Sequence, residues 1–454
     1  MRHNPKPSTP CQTLRHVAVG CTLLVLSLSA SAMDLLQAYQ AAQQYDATLL
    51  AARAGANAER ERLPQAKAQL LPSLNASYSR NTNRLVTVAP NFLGQEQTTF
   101  NAYPSGSQNL TLRQPLYRPQ LIEQYRQAQA QVNDAEALLQ QEEQGLAVRV
   151  SGAYFEAMLT HEQLALVLAQ KAAYTTQLDS ARKSLLAGSG TRTDVDEAQA
   201  RFDMSLAQEI EARQNVTYTL QQLEMLVNQP IDKLATLNVA QLELTPPQPN
   251  SLEEWTARAL RSNPQMQSLA ARVEIAREES RRANSGHYPT LDAVAQWSDS
   301  KSESTSNTGS QYTNSSVGLQ LNLPIFAGGA VTSQVRQTLA SLQRAEHTLE
   351  AGRRDLQIRV YKEFRGVTEN IPKIKALEQA LRSADQVVLS SKKSFQAGSR
   401  TVVDILNAES QRVSVLRDLA QARYIYLISS IRLLALVGAA DMDAVQVVNR
   451  SLQN

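Results

Sequence analysis

Two short segments of the chain carry the same chemically distinctive residues at the same spacing. Gly188 is followed by a threonine after three positions, an aspartate after six and an alanine after ten, and Gly398 is followed by the same series. A glycine can end a helix in the left-handed conformation, and an aspartate in the first turn of the next helix interacts favourably with that helix's dipole. The spacing therefore predicts two helix–turn–helix corners, with Asp194 and Asp404 in the first turn of the second helix.

Residues that usually carry catalysis are few and scattered. The three histidines outside the N-terminal segment, His161, His287 and His347, lie far apart on stretches with helical character, so each fits a surface or packing role better than a ligand role. The GSGT segment at 188–191 precedes a helix but lacks the lysine of a phosphate-binding loop, and neither G-x-S-x-G nor H-E-x-x-H occurs. We therefore expect no catalytic, cofactor-binding or metal site, and no enzyme activity.

The first 32 residues have the pattern of a secretory signal peptide. Basic residues without acidic ones in 1–16 precede an apolar run at 17–30, and an Ala-Ser-Ala cleavage site follows. We expect the mature chain to begin near Met33. Both cysteines, Cys11 and Cys21, would leave with this segment, so the mature protein would have no disulfide, thiol nucleophile or cysteine-bound metal. Lipidation at Cys21 is the less favoured alternative.

Charge and hydropathy limit the partners of the remaining chain. The sequence holds 45 lysine and arginine residues against 42 aspartate and glutamate residues, and three of the basic residues lie in the signal segment. A nearly neutral chain does not predict binding to nucleic acid. No apolar run after the signal segment approaches the roughly 20 residues of a transmembrane helix. This leaves two alternatives, a soluble periplasmic protein and a transmembrane β-barrel, whose strands show only alternation.

The chain after the signal segment consists of two copies of one unit. Residue n matches residue n + 217 near the start of each copy, and the offset later becomes 209 and then 210. In this alignment NLTLRQPLY at 109–117 matches GLQLNLPIF at 318–326, and Gly188 matches Gly398. The predicted units are a first repeat at 33–228, a linker at 229–250, a second repeat at 251–438 and a tail at 439–454.

Each copy has the pattern helix, strand, loop, strand, very long helix, turn, helix. Ala, Gln, Glu and Arg, which favour helix, dominate the helical segments, whereas the strands alternate apolar and polar residues. The first helices are predicted at 34–70 and 251–287, the strands at 72–82, 108–118, 289–298 and 314–326, and the polar loops between strands at 83–107 and 299–312. The long helices are predicted at 119–187 and 328–397, and the return helices at 193–228 and 400–438.

The long helices are the clearest architectural signal. At about 1.5 Å per residue each would run roughly 100 Å, which no compact domain contains. Apolar residues at 4-3 spacing, including Leu121, Tyr125 and Ala128, predict a coiled-coil seam. The first helix and the return helix together match one long helix in length, so two short helices can stack end to end beside each long one. Pro372 predicts a bend or a break in the second long helix near 370–372.

Four strands per chain cannot form a complete barrel. A barrel needs about eight strands, and an open sheet edge is not tolerated in lipid. If the strands span a membrane, the chain must therefore oligomerise, and three chains would supply twelve strands with a helical tube beneath them. The alternative from another class is a soluble periplasmic coiled-coil scaffold or adhesin, which accounts for the helices but not for the alternating strands.

The duplicated unit carries a family resemblance. The strand starts LLPSL and YPTL, the strand ends QPLY and LPIF and the two AGS turns resemble the TolC family of outer-membrane efflux and secretion channels over residues 33–440. The string AGSGTRTDVDEAQARFD is most similar to the branch that serves type I protein secretion. The resemblance implies a mixed, mostly α-helical membrane protein that forms a homotrimer. It also implies a shared twelve-stranded β-barrel in outer-membrane lipid, a coiled-coil tunnel in the periplasm and an equatorial belt that includes 229–250 and the tail.

The same resemblance implies a function and partners. The protein would be a passive exit duct for protein or small-molecule export, the outer-membrane part of a tripartite type I secretion or efflux system. Its partners would be a periplasmic adaptor, which docks on the helical tip, and an inner-membrane ABC or proton-driven transporter. Multidrug efflux is the alternative within the family.

The two corners would then form the closed periplasmic mouth. Arg400 matches the family's basic residue that bonds across to the neighbouring turn, here Thr193 and Asp194. Asp404 matches an aspartate that rings the constriction. Together with Gly188 and Gly398, these residues make up the predicted gate.

The sequence departs from the family pattern at two positions of this gate. Asn407 stands where a second ring of acidic residues is expected, which would weaken the acidic ring. Phe395 replaces a tyrosine whose hydroxyl joins the closing network, which would remove one latch.

Overall fold

The computed structural model describes residues 32–302 and 309–453. Nearly all of the predicted signal segment, including Cys11 and Cys21, and the centre of the predicted loop at 299–312 lie outside the described residues. None of the helices in the described ranges is both long enough and apolar enough to cross a membrane.

The two copies have the same order of elements. The first copy contains α1 (Leu35–Tyr45), α2 (Ala47–Arg60), α3 (Arg62–Ala68), β1 (Ser73–Pro90), β2 (Glu96–Tyr117), α4 (Pro119–Leu186) and α5 (Arg192–Val227). A short strand β3 (Thr236–Leu237) lies between the copies. The second copy contains α6 (Leu252–Ser262), α7 (Pro264–Asn284), β4 (Thr290–Ser302), β5 (Ser310–Asn322), α8 (Ala330–Gln396) and α9 (Val402–Leu436). The chain ends with α10 (Met442–Asn449) and β6 (Leu452–Gln453).

Side-chain caps explain where most of these helices begin. The residue before the helix accepts a hydrogen bond from the third helical N–H group, which has no partner within the helix. The residues that do so are Asp34, Asp46, Thr191, Ser251, Asn263, Thr401 and Asp441. Helix α4 begins differently, with Pro119 at its first position, where a missing N–H group costs nothing.

The four long strands form one antiparallel sheet in the order β1-β2-β4-β5. Two of them are much longer than predicted, and the loop predicted at 83–107 is wrong. Strand β1 continues to Pro90 and β2 begins at Glu96, joined by a turn in which Asn91 Oδ1 accepts from the N–H groups of Leu93 and Gln95, each at 3.0 Å. Apolar residues occur on both faces of this extension, for example the neighbours Leu85 and Val86, so it lacks the alternation of apolar and polar residues that predicts a strand.

Strand β5 also differs from its prediction, 314–326. It begins at Ser310 and ends at Asn322. Pro324 follows within two residues and has no N–H group to donate to a sheet ladder, which accounts for the earlier end.

The helices form two long antiparallel hairpins, α4 with α5 and α8 with α9. Helices α1, α2 and α3 pack on α4, and α1 also meets α5, so the short helices lie end to end beside the long one as predicted. Helices α6 and α7 pack on α8 in the second copy. Helix α4 also packs on α7 and α9, which joins the two copies into one body.

The main core lies midway along the helices. Tyr154 and Phe155 of α4 meet edge to face with centroids 5.9 Å apart, and Tyr424 of α9 lies 6.0 Å from Phe155. The Tyr154 hydroxyl donates to the Met33 carbonyl oxygen at 2.9 Å. Around this core, β3 of the linker pairs with β6 of the tail, so the linker and the tail share one layer.

Helix α8 continues through Pro372, so the predicted break is wrong, whereas the bend stays a prediction. The proline removes one backbone donor, a defect of about 3 kcal/mol in an isolated helix. Packing along α9 outweighs this local defect. The Asn370 side chain adds a hydrogen bond to the Gly366 carbonyl oxygen at 2.6 Å in the preceding turn.

Candidate gate at the helical tip

The two corners end their long helices in the same way. Gly188 has a φ of 73° and Gly398 a φ of 75°, the left-handed conformation that the sequence predicts. In the first corner the Ser189 N–H group donates to the Ser184 carbonyl oxygen at 2.9 Å, and in the second Ser399 donates to the Ser394 oxygen at 2.9 Å. This arrangement is the Schellman motif, which satisfies helix-end carbonyls through one left-handed residue.

Reciprocal caps begin the return helices. Thr191 Oγ1 accepts from the Asp194 N–H group at 3.1 Å, and the Asp194 carboxylate accepts from the Thr191 N–H group at 3.0 Å. Thr401 and Asp404 repeat this pair, with the Thr401 N–H group 2.9 Å from the carboxylate. The threonine-x-x-aspartate spacing is a capping box, which orders the first turn of each helix.

The caps also fix the charge of Asp404. Hydrogen bonds from the backbone N–H and side-chain hydroxyl of Thr401, followed by attraction to Arg400, hold the pKa of the Asp404 carboxyl below its usual range. The side chain is therefore an anion at neutral pH.

Arg400 lies beside Asp404 but bonds back to its own long helix. Its Nη1 donates to Ser391 Oγ at 2.8 Å, and Ser391 is fully buried. Within the described chain it does not bond to Thr193 or Asp194, and the Asp194 carboxylate is occupied by Thr191. A bond from Arg400 to Thr193 or Asp194 of a neighbouring subunit stays a prediction.

One polar contact joins the two copies near the tip, which we define as residues 185–201 and 395–412. Arg201 Nη2 of α5 donates to Asn407 Oδ1 of α9 at 3.1 Å. Arg201 is not among the predicted gate residues, although it follows Asp194 by seven residues and therefore lies on the same side of α5. Asn407 thus has a partner of its own where the family pattern suggested an acidic residue.

An apolar cluster lies directly behind these polar residues. Its buried members come from three helices: Tyr174, Leu178 and Ala181 of α4, Ala198 of α5, and Val402 and Leu406 of α9. Phe395 of α8 packs against it. Phe395, which lacks the tyrosine hydroxyl of the family pattern, therefore contributes apolar contact.

Other polar contacts tie each long helix to its own return helix. Lys171 binds Glu209 at 2.7 Å between α4 and α5, and Lys392 binds Glu409 at 2.6 Å between α8 and α9. Such contacts make each hairpin a unit. At the tip, the Arg201–Asn407 bond and the apolar cluster join the two units.

The sequence has clear relatives. It matches the family described as "Outer membrane efflux protein" over residues 38–229 and 255–439. It is 33% identical over 433 residues to the alkaline protease secretion protein AprF of Pseudomonas aeruginosa, covering 94% of this chain and 89% of that protein. It is 33% identical over 420 residues to the proteases secretion protein PrtF of Dickeya chrysanthemi, covering 91% and 90%.

The fold also matches a solved structure. The outer membrane protein VceC of Vibrio cholerae superimposes with a TM-score of 0.73 at 18% identity, covering 89% of this chain and 96% of that one. At this identity the likeness shows the fold alone.

Proposed function

The chain belongs to the outer membrane efflux protein family and is an outer-membrane channel subunit, and we propose that it serves as the exit duct of a type I protein secretion system. In this proposal three copies form the duct. A periplasmic adaptor docks on the tip, and an inner-membrane ABC transporter drives the cargo. The protein itself is passive and supplies the path.

The observation that carries this proposal is the incomplete sheet. Its four strands leave β1 and β5 with unpaired edges, and one face is covered with exposed apolar side chains, among them Val317 at 88% and Leu319 at 70% exposure. Such a face suits lipid, and edges in lipid must be paired. Three copies pair every edge and give twelve strands.

The helices extend this duct away from the membrane. Both α4 and α8 begin within eight residues of a strand end, so the sheet passes directly into the long helices. With 68 and 67 residues these helices run roughly 100 Å, a length that suits a passage through the periplasm. The tip at their far end is then the part that an adaptor reaches.

Similarity to AprF and PrtF, which are named as protease secretion proteins, supports a polypeptide cargo. Small-molecule efflux is the second candidate, supported by similarity to the outer membrane efflux protein BepC of Brucella suis at 26% identity over 435 residues.

Deletion of the gene tests the proposal and separates the two candidates. We expect one or a few proteins to disappear from the culture medium, to return when the wild-type gene is supplied, and tolerance of small toxic compounds to stay unchanged. Reduced tolerance with an unchanged set of secreted proteins would favour small-molecule efflux. No change in either property would contradict a role as an exit duct.

A further inference from the structure

The register of the sheet assigns each strand residue to one of two faces. Leu74, Leu112, Ala295 and Val317 form one continuous row across the four strands, and the next row on this face includes Leu110 and Trp297. This apolar face is the one that meets lipid. The opposite face therefore lines the lumen of the barrel.

The lumen face is almost free of charge along its middle. One row across it consists of Ser77, Asn109, Ser298 and Asn314, and the row below consists of Asn75, Thr111, Gln296 and Ser316. Hydroxyl and amide side chains of this kind attract neither cations nor anions strongly. Charge appears only at the helical end of the described lumen rows, where Arg113 and Asp292 replace the neutral residues.

At this end two arginines share one carboxylate. Arg118 Nε and Nη2 bind the two Asp292 oxygens at 2.7 and 2.6 Å, and Arg113 Nη2 binds Oδ2 at 2.6 Å. The fork of Arg118 alone satisfies both carboxylate oxygens, as planar guanidinium groups do. Arg113 is therefore the second cation on an anion that already has a partner.

Exposure decides which charge the lumen meets. The Asp292 side chain is 3% exposed, whereas Arg113 is 43% and Arg118 29% exposed. The carboxylate is buried beneath guanidinium groups that still reach water. Each subunit therefore presents one net positive charge where the barrel joins the helical tunnel.

We propose that Arg113 and Arg118 of the three subunits form a basic collar at the barrel–tunnel junction, which favours carboxylate groups on the exported chain. The inference rests on the trimeric duct of the proposed function. A ring of fixed charge in a channel raises the local concentration of ions of opposite sign. The collar lies at the opposite end of the helical tunnel from Asp404, and because the two rings carry opposite charges they act on passing ions in opposite senses.

Single-channel recording tests the collar with Arg113→Gln, which removes one charge and leaves the Arg118–Asp292 pair in place. In a potassium chloride gradient we expect the reversal potential to move toward cation preference, with the permeability ratio of potassium to chloride rising about twofold. A hexaglutamate peptide added from the barrel side should block the wild type more strongly than the variant. A hexalysine peptide should block the variant at least as strongly as it blocks the wild type.

Two matched variants complete the test. Arg80→Gln makes the same charge change on the lipid-facing side of the same hairpin. Arg80 follows Leu74 by six residues along β1, so the two side chains lie on the same face. This variant should leave both readouts at wild-type values. Arg113→Lys keeps the charge and should keep the selectivity. If the wild type conducts and Arg113→Gln behaves like Arg80→Gln, the collar is refuted. If the wild type forms no pores, the duct itself is refuted, and the collar with it.

Discussion

The bond between Arg201 and Asn407 should help to keep the tip closed, and Arg201→Ala should favour the open state. The bond spans α5 and α9, which belong to different hairpins, and each hairpin is held together by contacts of its own. Separation of the hairpins therefore breaks this bond and leaves the contacts within each hairpin intact.

The size of the effect follows from the exposure of the pair. Both residues reach solvent, with 38% of the Arg201 side chain exposed, so each bond contributes about 0.2–1 kcal/mol. The three subunits open together and each loses one bond, so the closed state loses between about 0.6 and about 3 kcal/mol. The ratio of closed to open channels should then fall by between about threefold and about a hundredfold, since 1.4 kcal/mol is a factor of ten.

Planar-bilayer recording measures this change as a higher open probability or conductance, and entry of a bulky antibiotic measures it in cells. Asn407→Ala should have the same effect, and the double variant should differ little from either single variant, because both substitutions remove the same bond. Arg192→Ala is the matched control, since Arg192 also lies at the tip but binds Asp196 of its own helix at 3.2 Å. If Arg201→Ala trimers conduct like Arg192→Ala trimers and admit no more antibiotic, the Arg201–Asn407 bond does not hold the tip closed.

Four further predictions follow, three at the tip and one in helix α7. Arg400→Ala should raise conductance if Arg400 bonds to a neighbouring copy, and unchanged conductance in intact trimers would leave it only its bond to Ser391. Asp404→Ala should reduce cation preference; since its pKa is lowered, the wild-type preference should persist below the pH at which a free aspartate protonates, and a reversal-potential series against pH checks this. Gly398→Ala places a side chain at a φ of 75° and should destabilise the corner by about 1 kcal/mol, visible as faster proteolysis at 395–401 relative to Gly55→Ala in helix α2. Burial, together with hydrogen bonds to Glu123 and Glu274, raises the pKa of Glu278 to about 7, so folding favours its protonated form and stability falls as pH rises from the ordinary glutamate range through 7. Glu278→Gln should therefore stabilise the protein at pH 8 relative to pH 4, where it should make little difference; equal thermal midpoints of variant and wild type at pH 8 would contradict this.

The sequence predicts those parts of the fold that depend on neighbouring residues. The long helices were predicted to within about three residues of their observed ends, because heptad spacing and a glycine at each corner are local signals. The corners followed from Gly188 and Gly398 for the same reason. The extension of β1 and β2 through 83–107 was missed because apolar residues such as Leu85 and Val86 lie on both of its faces and break the alternation, and only pairing between the strands shows it.

Contacts between distant residues account for what the sequence did not predict at the gate. Arg201 and Asn407 are 206 positions apart and come from different copies, so no periodicity relates them. The Arg113–Asp292 contact spans 179 positions in the same way. Pro372 shows the opposite error, since a strong local signal for a break is overridden by packing on a neighbouring helix.

The central claim is that β1 of one subunit pairs with β5 of the neighbouring subunit, and disulfide cross-linking tests it most directly. The sequence has two cysteines, Cys11 and Cys21, both in the predicted signal segment, so the mature chain offers no background. Ser316→Cys on β5 is combined in turn with a cysteine at each of the lumen-face positions 73, 75, 77 and 79 of β1. Neighbouring antiparallel strands place paired Cα atoms about 4.5–5.5 Å apart, within disulfide range. We predict that at least one pair gives a covalent trimer and nothing larger, because three links close a ring. Absence of cross-links from every pair, or a ladder that continues beyond three chains, would contradict the shared barrel.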